Sequence, residues 1–262
     1  MSPSNSNAAP ALWPAAPPLP RPVLSDQVWA DAVFLHWRIE REVAARYMPP
    51  GVEPDEFDGS AWVGLIGFQM RRAGLGKNLP LPYFGNFAEI NVRLYSREPD
   101  GTRGVVFRSL EAPRLAFVAG ARLAGIPYVW ARCRRTETRA VPVAGASGAA
   151  GIRGTSFGYA SERFRGGATT QFSVLPDLNT VAADDLSLHL TSRFGLHAEI
   201  LDRTRYLPNT HRPWPLHPAT LTTLDDGLVA AAGIHVEGPP ESVLYSPGVR
   251  TFFGKPRTLA AP

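Results

Sequence analysis

Glu89, Asn91 and Arg93 alternate along the run Phe87-Ala88-Glu89-Ile90-Asn91-Val92-Arg93-Leu94-Tyr95. A strand has a side-chain period of two, so Phe87, Glu89, Asn91, Arg93 and Tyr95 share one face, and Ala88, Ile90, Val92 and Leu94 share the other. The second face is pure core. The first gathers an acid, an amide, a base and two aromatic rings. In a cavity Glu89 would be desolvated, and a raised pKa would suit it to acid–base work. The plainer reading is a salt bridge to Arg93 or another arginine. Arg93 could hold a carboxylate through two parallel N–H bonds, or simply pair with Glu89. Asn91 could orient a ligand or cap a backbone group. In Pro127-Tyr128-Val129-Trp130, Tyr128 could donate to a carbonyl or enolate oxygen, or act as an aromatic plug. Trp130 joins Arg93, Asn91 and His36 as an expected substrate contact. A lone histidine such as His36 is more often structural than functional. His211, near Arg212 and Trp214, reads the same way, and Glu111 is placed to pair with Arg114.

Other chemistries find little support. The histidines show no metal-ligand spacing: His211 and His217 are interrupted by Pro213 and Pro215, with no cysteine pair nearby. No metal and no cofactor are expected. No dinucleotide fingerprint, phosphate loop or nucleophile elbow occurs. Ser156 and Ser161 have no obvious His–Asp context. Of the 27 basic residues only Lys77 and Lys255 are lysines. Neither lies in a segment that reads as buried strand, where desolvation would activate an amine. The arginine excess is what a GC-rich coding genome produces. The net charge of +4 is mild, and the Arg132, Arg134, Arg135 cluster is followed by Glu137. It reads as a solvated strand edge, so no nucleic-acid partner is expected. Cys133 is the single cysteine, which excludes an internal disulfide and favours a reducing compartment, the cytoplasm. No stretch reaches the ~18 uncharged apolar residues of a membrane span. Met1 to Pro22 lacks the basic and apolar regions of a signal peptide and reads as a disordered Pro/Ala-rich tail. Residues 23–262 read as one domain.

The elements follow from periodicity and punctuation. Strands are expected over Asp26–Ile39, Ala61–Met70, Phe87–Tyr95, Gly104–Glu111, Tyr128–Glu137, Thr155–Phe164, Thr169–Val174, Ala198–Tyr206, Leu216–Thr223 and Gly227–His235. Short helices are expected at Glu40–Tyr47, at Pro113–Leu123 with Gly125-Ile126-Pro127 as the stop, and at Asp184–Arg193, capped by Asp184 or Asp185. Pro99-Asp100-Gly101 is a hairpin turn. Residues 71–86 and 142–154 read as Gly-rich loops, and the glycines of the 61–70 strand allow a close approach or a bend.

Several pieces of the chain, in order, resemble one family: Phe34-Leu35-His36-Trp37, Pro49-Pro50-Gly51-Val52, Phe57-Asp58-Gly59-Ser60-Ala61-Trp62-Val63-Gly64, the Phe87–Tyr95 run, Ser109-Leu110-Glu111-Ala112, Gly125-Ile126-Pro127-Tyr128 and His211-Arg212-Pro213-Trp214-Pro215-Leu216. They are similar to the DUF2071, or YqjF-like, family of the acetoacetate decarboxylase-like superfamily. The resemblance implies an α+β fold, mostly antiparallel, with a closed or cone-shaped barrel, peripheral helices, a barrel pocket and often a homo-oligomer. It also puts Tyr128 where the decarboxylases carry their Schiff-base lysine, Val129 at the neighbouring lysine, and Glu89 at a pocket glutamate. The decarboxylase arginine has no assignable position. A phenol cannot form an imine, so Schiff-base decarboxylation is not expected. The expectation is a cofactor-independent enzyme of lyase, isomerase or cyclase type. It would act by non-covalent acid–base chemistry on a small carbonyl- or carboxylate-bearing molecule. The alternative is a non-catalytic small-molecule-binding protein on a degenerate scaffold.

Overall fold

The computed structural model describes residues 15–81, 85–123, 125–140 and 154–259. Most of the expected tail, and the Gly/Ala/Ser-rich stretch apart from Gly154, lie outside them. In chain order the elements are β1 (Ser25–Ile39), α1 (Arg41–Ala45), β2 (Glu53–Pro54), β3 (Ala61–Leu75), β4 (Phe87–Arg97), β5 (Arg103–Ala112), α2 (Leu115–Leu123), β6 (Tyr128–Ala140), β7 (Gly154–Arg163), β8 (Thr169–Pro176), α3 (Asp185–Thr191), β9 (Gly195–Ile200), β10 (Arg203–His211), β11 (His217–Asp226), α4 (Leu228–Ala231), β12 (Ser242–Phe253) and β13 (Arg257–Thr258).

The pairing β4–β5 closes a ring of nine strands, in order β4, β5, β6, β7, β8, β11, β12, β1 and β3. Every pairing in it is antiparallel except β5–β6, which is parallel and follows the α2 crossover. This is the mostly antiparallel closed barrel with peripheral helices that the family resemblance implied. A second ring is made when β9 pairs with β5 and β10 with β12. The two rings share the wall β12–β1–β3–β4–β5.

That wall is buried on both faces, and alternation sorts its residues. Ala88, Ile90, Val92 and Leu94 of β4 pack with Val33, Leu35, Tyr159 and Phe172 in the larger ring. Phe87 on the opposite face packs with Phe34, Ile66, Phe68 and Tyr128. In β1 the phase of this alternation flips at a bulge. Asp31 adopts φ 53, the β1–β3 register shifts between Ala30 and Val33, and Gly248 (φ 123) lies beside it. The flip puts Gln27 and Trp29 before the bulge, and Ala32 and Phe34 after it, on one surface.

Local signals explain the turns around the site. Gly101 (φ 87) closes the β4–β5 hairpin, where Glu98 N–H bonds Thr102 O at 2.9 Å. Helix α2 ends with Gly125 at φ 77, and Ile126 N–H donates to Ala121 O at 3.0 Å. This is the left-handed glycine cap of a Schellman motif. Asp184 caps α3 by accepting from Ser187 N–H at 2.9 Å.

Three sequence expectations are corrected, and one strand is added. Strand β3 runs to Leu75, into the expected 71–86 loop, because it pairs with β1 as far as Ser25. The expected 198–206 strand is a hairpin: Leu201 and Asp202, at φ 52 and 56, divide β9 from β10. The 227–235 segment is not a strand. Asp226 accepts from Leu228 and Val229 N–H, both at 3.1 Å, and so nucleates α4. Strand β12, which sequence reading left unassigned, pairs with β1 along its whole length.

Gly67 is where the strand glycine matters most. A Cβ there would stand 2.6 Å from the Tyr159 ring and 2.8 Å from Phe172. Gly67→Ala is expected to cost about 1–3 kcal/mol through overpacking. Gly120→Ala, in α2 with nothing within 4 Å of its Cβ, should be neutral or stabilise by up to about 1 kcal/mol. Chemical denaturation of both variants checks this, and equal losses would refute the close-approach argument.

Candidate functional site

A cavity of about 520 Å³ lies on the side of the shared wall that faces β9 and β10. Glu89, Asn91 and Arg93 line it from β4, and Tyr128 lines it from the start of β6. Strand register gives their depth. On β3, Met70 pairs with Phe87, Phe68 with Glu89, Ile66 with Asn91 and Gly64 with Arg93. On β1, Ser25 pairs with Leu75 and His36 with Gly64. The Ser25–Leu75 end is the mouth, where Leu24, Leu75 and Leu81 are 43%, 65% and 41% exposed. The far end is closed by buried His36, Tyr95 and Leu190. Glu89 sits midway and Arg93 deepest.

Glu89 is the centre of the site. Its side chain is buried, and the Tyr128 hydroxyl donates to its Oε2 at 2.8 Å. Desolvation pushes its pKa up to about 8, and the nearby Glu111 adds to the rise, against the hydrogen bonds from Tyr128 and Asn91. At neutral pH the carboxyl is therefore protonated. With Oε2 accepting from Tyr128, the carboxyl proton belongs on Oε1. Burial, then the Glu89 charge, push the Tyr128 phenol well above its ordinary range, so it stays a donor. Tyr128 is held in place from three directions. Arg122 Nε donates to its carbonyl at 2.6 Å, its own N–H bonds Ile126 O at 2.8 Å, and Leu110 N–H bonds Pro127 O at 3.2 Å.

Arg93 does not pair with Glu89. It donates to the Tyr95 hydroxyl and the Leu190 carbonyl, both at 3.3 Å, and packs over Phe34. Among the described residues no carboxylate neutralises it. Asn91 is buried, and its Oδ1 has no hydrogen-bond partner among them. His36 does not line the cavity. It stacks beside Phe34 with both ring nitrogens unpartnered, and burial, then Arg93 and Arg193, hold its pKa well below the usual range. It is a neutral ring behind the blind end.

Trp130 is not brought to the site. The β5–β6 pairing ends at Ala112–Trp130, and the indole turns outward, donates to Pro113 O at 3.3 Å and packs on Phe164. Glu111 pairs with Arg163 at 2.6 Å rather than with Arg114, because β7 brings Arg163 against this end of β6. His211 lies in an aromatic cluster with Trp29 and Trp214. Sequence reading missed Trp29, Phe34, Phe117 and Trp214 as cavity walls. For Phe117 the signal was present, one residue from Val118 on the inward side of α2. For Trp29 and Phe34 the β1 bulge erased it. Neither lysine lines the cavity, and both are exposed.

Comparison with known proteins bears on the fold and the family. Bacillus subtilis YqjF, an uncharacterized protein, is 26% identical over 221 residues, which is 82% of this chain and 83% of that one. Among solved structures, the enduracididine biosynthesis enzyme MppR complexed with pyruvate superposes with a TM-score of 0.61 at 17% identity, covering 92% of both chains. The acetoacetate decarboxylase of Legionella pneumophila gives 0.58 at 14% identity, covering 93% of this chain and 92% of that one. An acetoacetate decarboxylase-like enzyme from Sphingomonas wittichii gives 0.58 at 15%, covering 92% and 95%. At these identities the shared property is the fold. The family model for DUF2071, described as an uncharacterized conserved protein, matches residues 26–250, and the chain belongs to that family.

Proposed function

We propose that the protein is an enzyme acting by non-covalent acid–base chemistry on a small organic molecule bearing a carbonyl and a carboxylate. The observation that carries this reading is the Glu89–Tyr128 pair inside the cavity. Glu89, neutral at pH 7, presents a proton on Oε1 toward bound ligand. Tyr128 positions that proton by occupying Oε2. Arg93, a cation without a carboxylate partner among the described residues, anchors the ligand carboxylate.

The step this arrangement serves is enol formation. Glu89 passes its proton to the substrate carbonyl oxygen as a bond to the α-carbon breaks. The electron pair of that bond becomes the C=C of a neutral enol, and an α-proton, when that is what leaves, goes to water. Return of the enol to a carbonyl gives the proton back to Glu89. Lyase, isomerase and cyclase reactions all share this step. The exposed positions of Lys77 and Lys255 leave no amine on the cavity wall, which supports a route without an imine.

Three outcomes are expected. First, Glu89 titrates. Its folded pKa lies above its unfolded value, so between about pH 4.5 and 8 the native state holds a proton that the unfolded chain has lost. Wild-type stability therefore falls with rising pH across that window, by about 1.4 kcal/mol per pH unit from this group alone. Glu89→Gln removes that component of the slope, as denaturant melts across pH 5–9 would record; identical slopes would show an ordinary Glu89. Second, α-proton exchange of 2-oxo and 3-oxo carboxylates in D₂O, followed by NMR, should be catalysed by the wild type. The rate should decline as pH rises through about 8. Glu89→Gln should lower it roughly 10²–10⁴-fold. A Glu89→Gln protein that retains full exchange would refute the role of Glu89, and a wild type that binds these ligands without exchanging any would favour a binding protein over an enzyme. Third, borohydride added with a keto acid should leave the protein mass unchanged; an adduct on Lys77 or Lys255 would restore the imine route.

A further inference from the structure

Three of the cavity's polar groups form one row on β4, ordered by depth, while Ser25 and Gln27 of β1 and Tyr128 of β6 supply the others. Arg93 lies at the blind end, Asn91 next and Glu89 midway, at strand spacings of about 3.3 Å per residue. Around the row the walls are hydrocarbon and aromatic: Phe107 beside Arg93, Phe34 and Ile66 near Asn91, then Phe68 and Trp29 toward the mouth. The mouth is rimmed by Leu24, Leu75 and Leu81, which are 43%, 65% and 41% exposed. Exposed apolar groups gathered around an opening mark surface that a ligand covers.

Size matters as well. About 520 Å³ equals the volume of roughly 17 water molecules in the liquid. A three- or four-carbon keto acid fills a minor fraction of that space and leaves the apolar walls in contact with water. A charged head at Arg93 leaves the rest of any ligand lying along Phe34, Ile66, Phe68 and Trp29.

We infer that the ligand is an amphipathic monocarboxylate with a hydrocarbon body of about eight to ten carbons. It enters head first, its carboxylate on Arg93 and its chain running past Glu89 toward the mouth. The inference rests on the reading of this cavity as the ligand site and adds the class of molecule it takes. Arg93 is fitted to the head because its two recorded donations, to Tyr95 and Leu190, leave other guanidinium N–H groups free to meet a carboxylate. The unpartnered Asn91 Oδ1, buried between Arg93 and Glu89, awaits a donor from the ligand, such as a hydroxyl on the carbons near the head.

The test is an equilibrium titration of the full chain with butyrate, hexanoate, octanoate and decanoate. Calorimetry, or the fluorescence of Trp29 and Trp214 on the cavity wall, supplies the readout. Pyruvate is the small comparator and octan-1-ol the neutral one. Affinity should tighten about fourfold per added methylene until the cavity is full. Octanoate should bind at least 10-fold tighter than octan-1-ol to the wild type. Arg93→Met should remove that difference and Arg93→Lys should keep part of it. Should Arg93→Met fail to fold, the octanoate-to-octanol ratio on the wild type decides the head-group assignment. Pyruvate binding as tightly as octanoate would overturn the inference while leaving the enzyme reading intact. Equal affinity for octanoate and octan-1-ol, or no binding across the series, would overturn it too. Chain-length-dependent binding with no turnover of any 2-oxo or 3-oxo acid would uphold it and sink the enzyme reading.

Discussion

A carboxyl group placed in an apolar interior must either find a cation or keep its proton, because an unpaired buried charge costs far more than a neutral acid. The fold applies both solutions on adjacent strands. Glu111 on β5 is buried against Arg163; burial still raises its pKa, and the guanidinium works against that rise. Its register partner on β4 is Ile90, so Glu89 stands one residue away with its side chain on the opposite face of the wall. Among the described residues no arginine neutralises Glu89. It has a phenol instead, and the neighbouring Glu111 charge further favours the protonated form. Tyr128 donates to it, and the apolar surroundings penalise ionisation of both groups. The polarity of the pair, phenol to carboxyl to cavity, follows from this.

The pair depends on a wall that is buried on both sides. Strand β4 could not carry Glu89, Asn91 and Arg93 inward if its other face were not already packed in the larger ring by Ile90, Val92 and Leu94. Strand β1 supplies the next layer only because Asp31 inserts an extra residue. Asp31 is anchored in turn: Tyr159 donates to its carbonyl at 2.7 Å, Tyr245 to its Oδ1 at 3.2 Å, and Arg71 and Arg135 pair with its carboxylate. The bulge is thus fixed by contacts from β3, β6, β7 and β12, and it exchanges which residues of β1 face the cavity.

Much of this was legible in the chain. The alternation in Phe87–Tyr95 assigned both faces of β4 correctly, because an uninterrupted strand has a strict period and each face meets a uniform environment. Gly125-Ile126-Pro127 located the end of α2, because a left-handed cap needs glycine and a proline cannot continue a helix. Elsewhere local signals misled. Residues 198–206 look continuous because Leu201 and Asp202, neither of them glycine, hold the left-handed turn. The apolar run after Gly227 looks like strand until Asp226 is seen to cap it. Trp130 has the same parity as Tyr128, yet the sheet splits after Ala112 and the indole faces solvent.

The sequence by itself determined which chemical groups are present and which are missing: one strand face bearing an acid, an amide and a guanidinium, a tyrosine after a helix stop, and two lysines in exposed loops. These follow from residue type, strand period and turn chemistry, all of which act over a few neighbouring positions. Only the tertiary structure decided that Glu89 meets Tyr128 rather than Arg93, that Trp29 and Phe34 face one cavity, and that His36 stays behind it. Those outcomes depend on strand order, on a bulge whose anchors are far away in sequence, and on the water excluded when two rings close over a common wall. No short-range pattern encodes them.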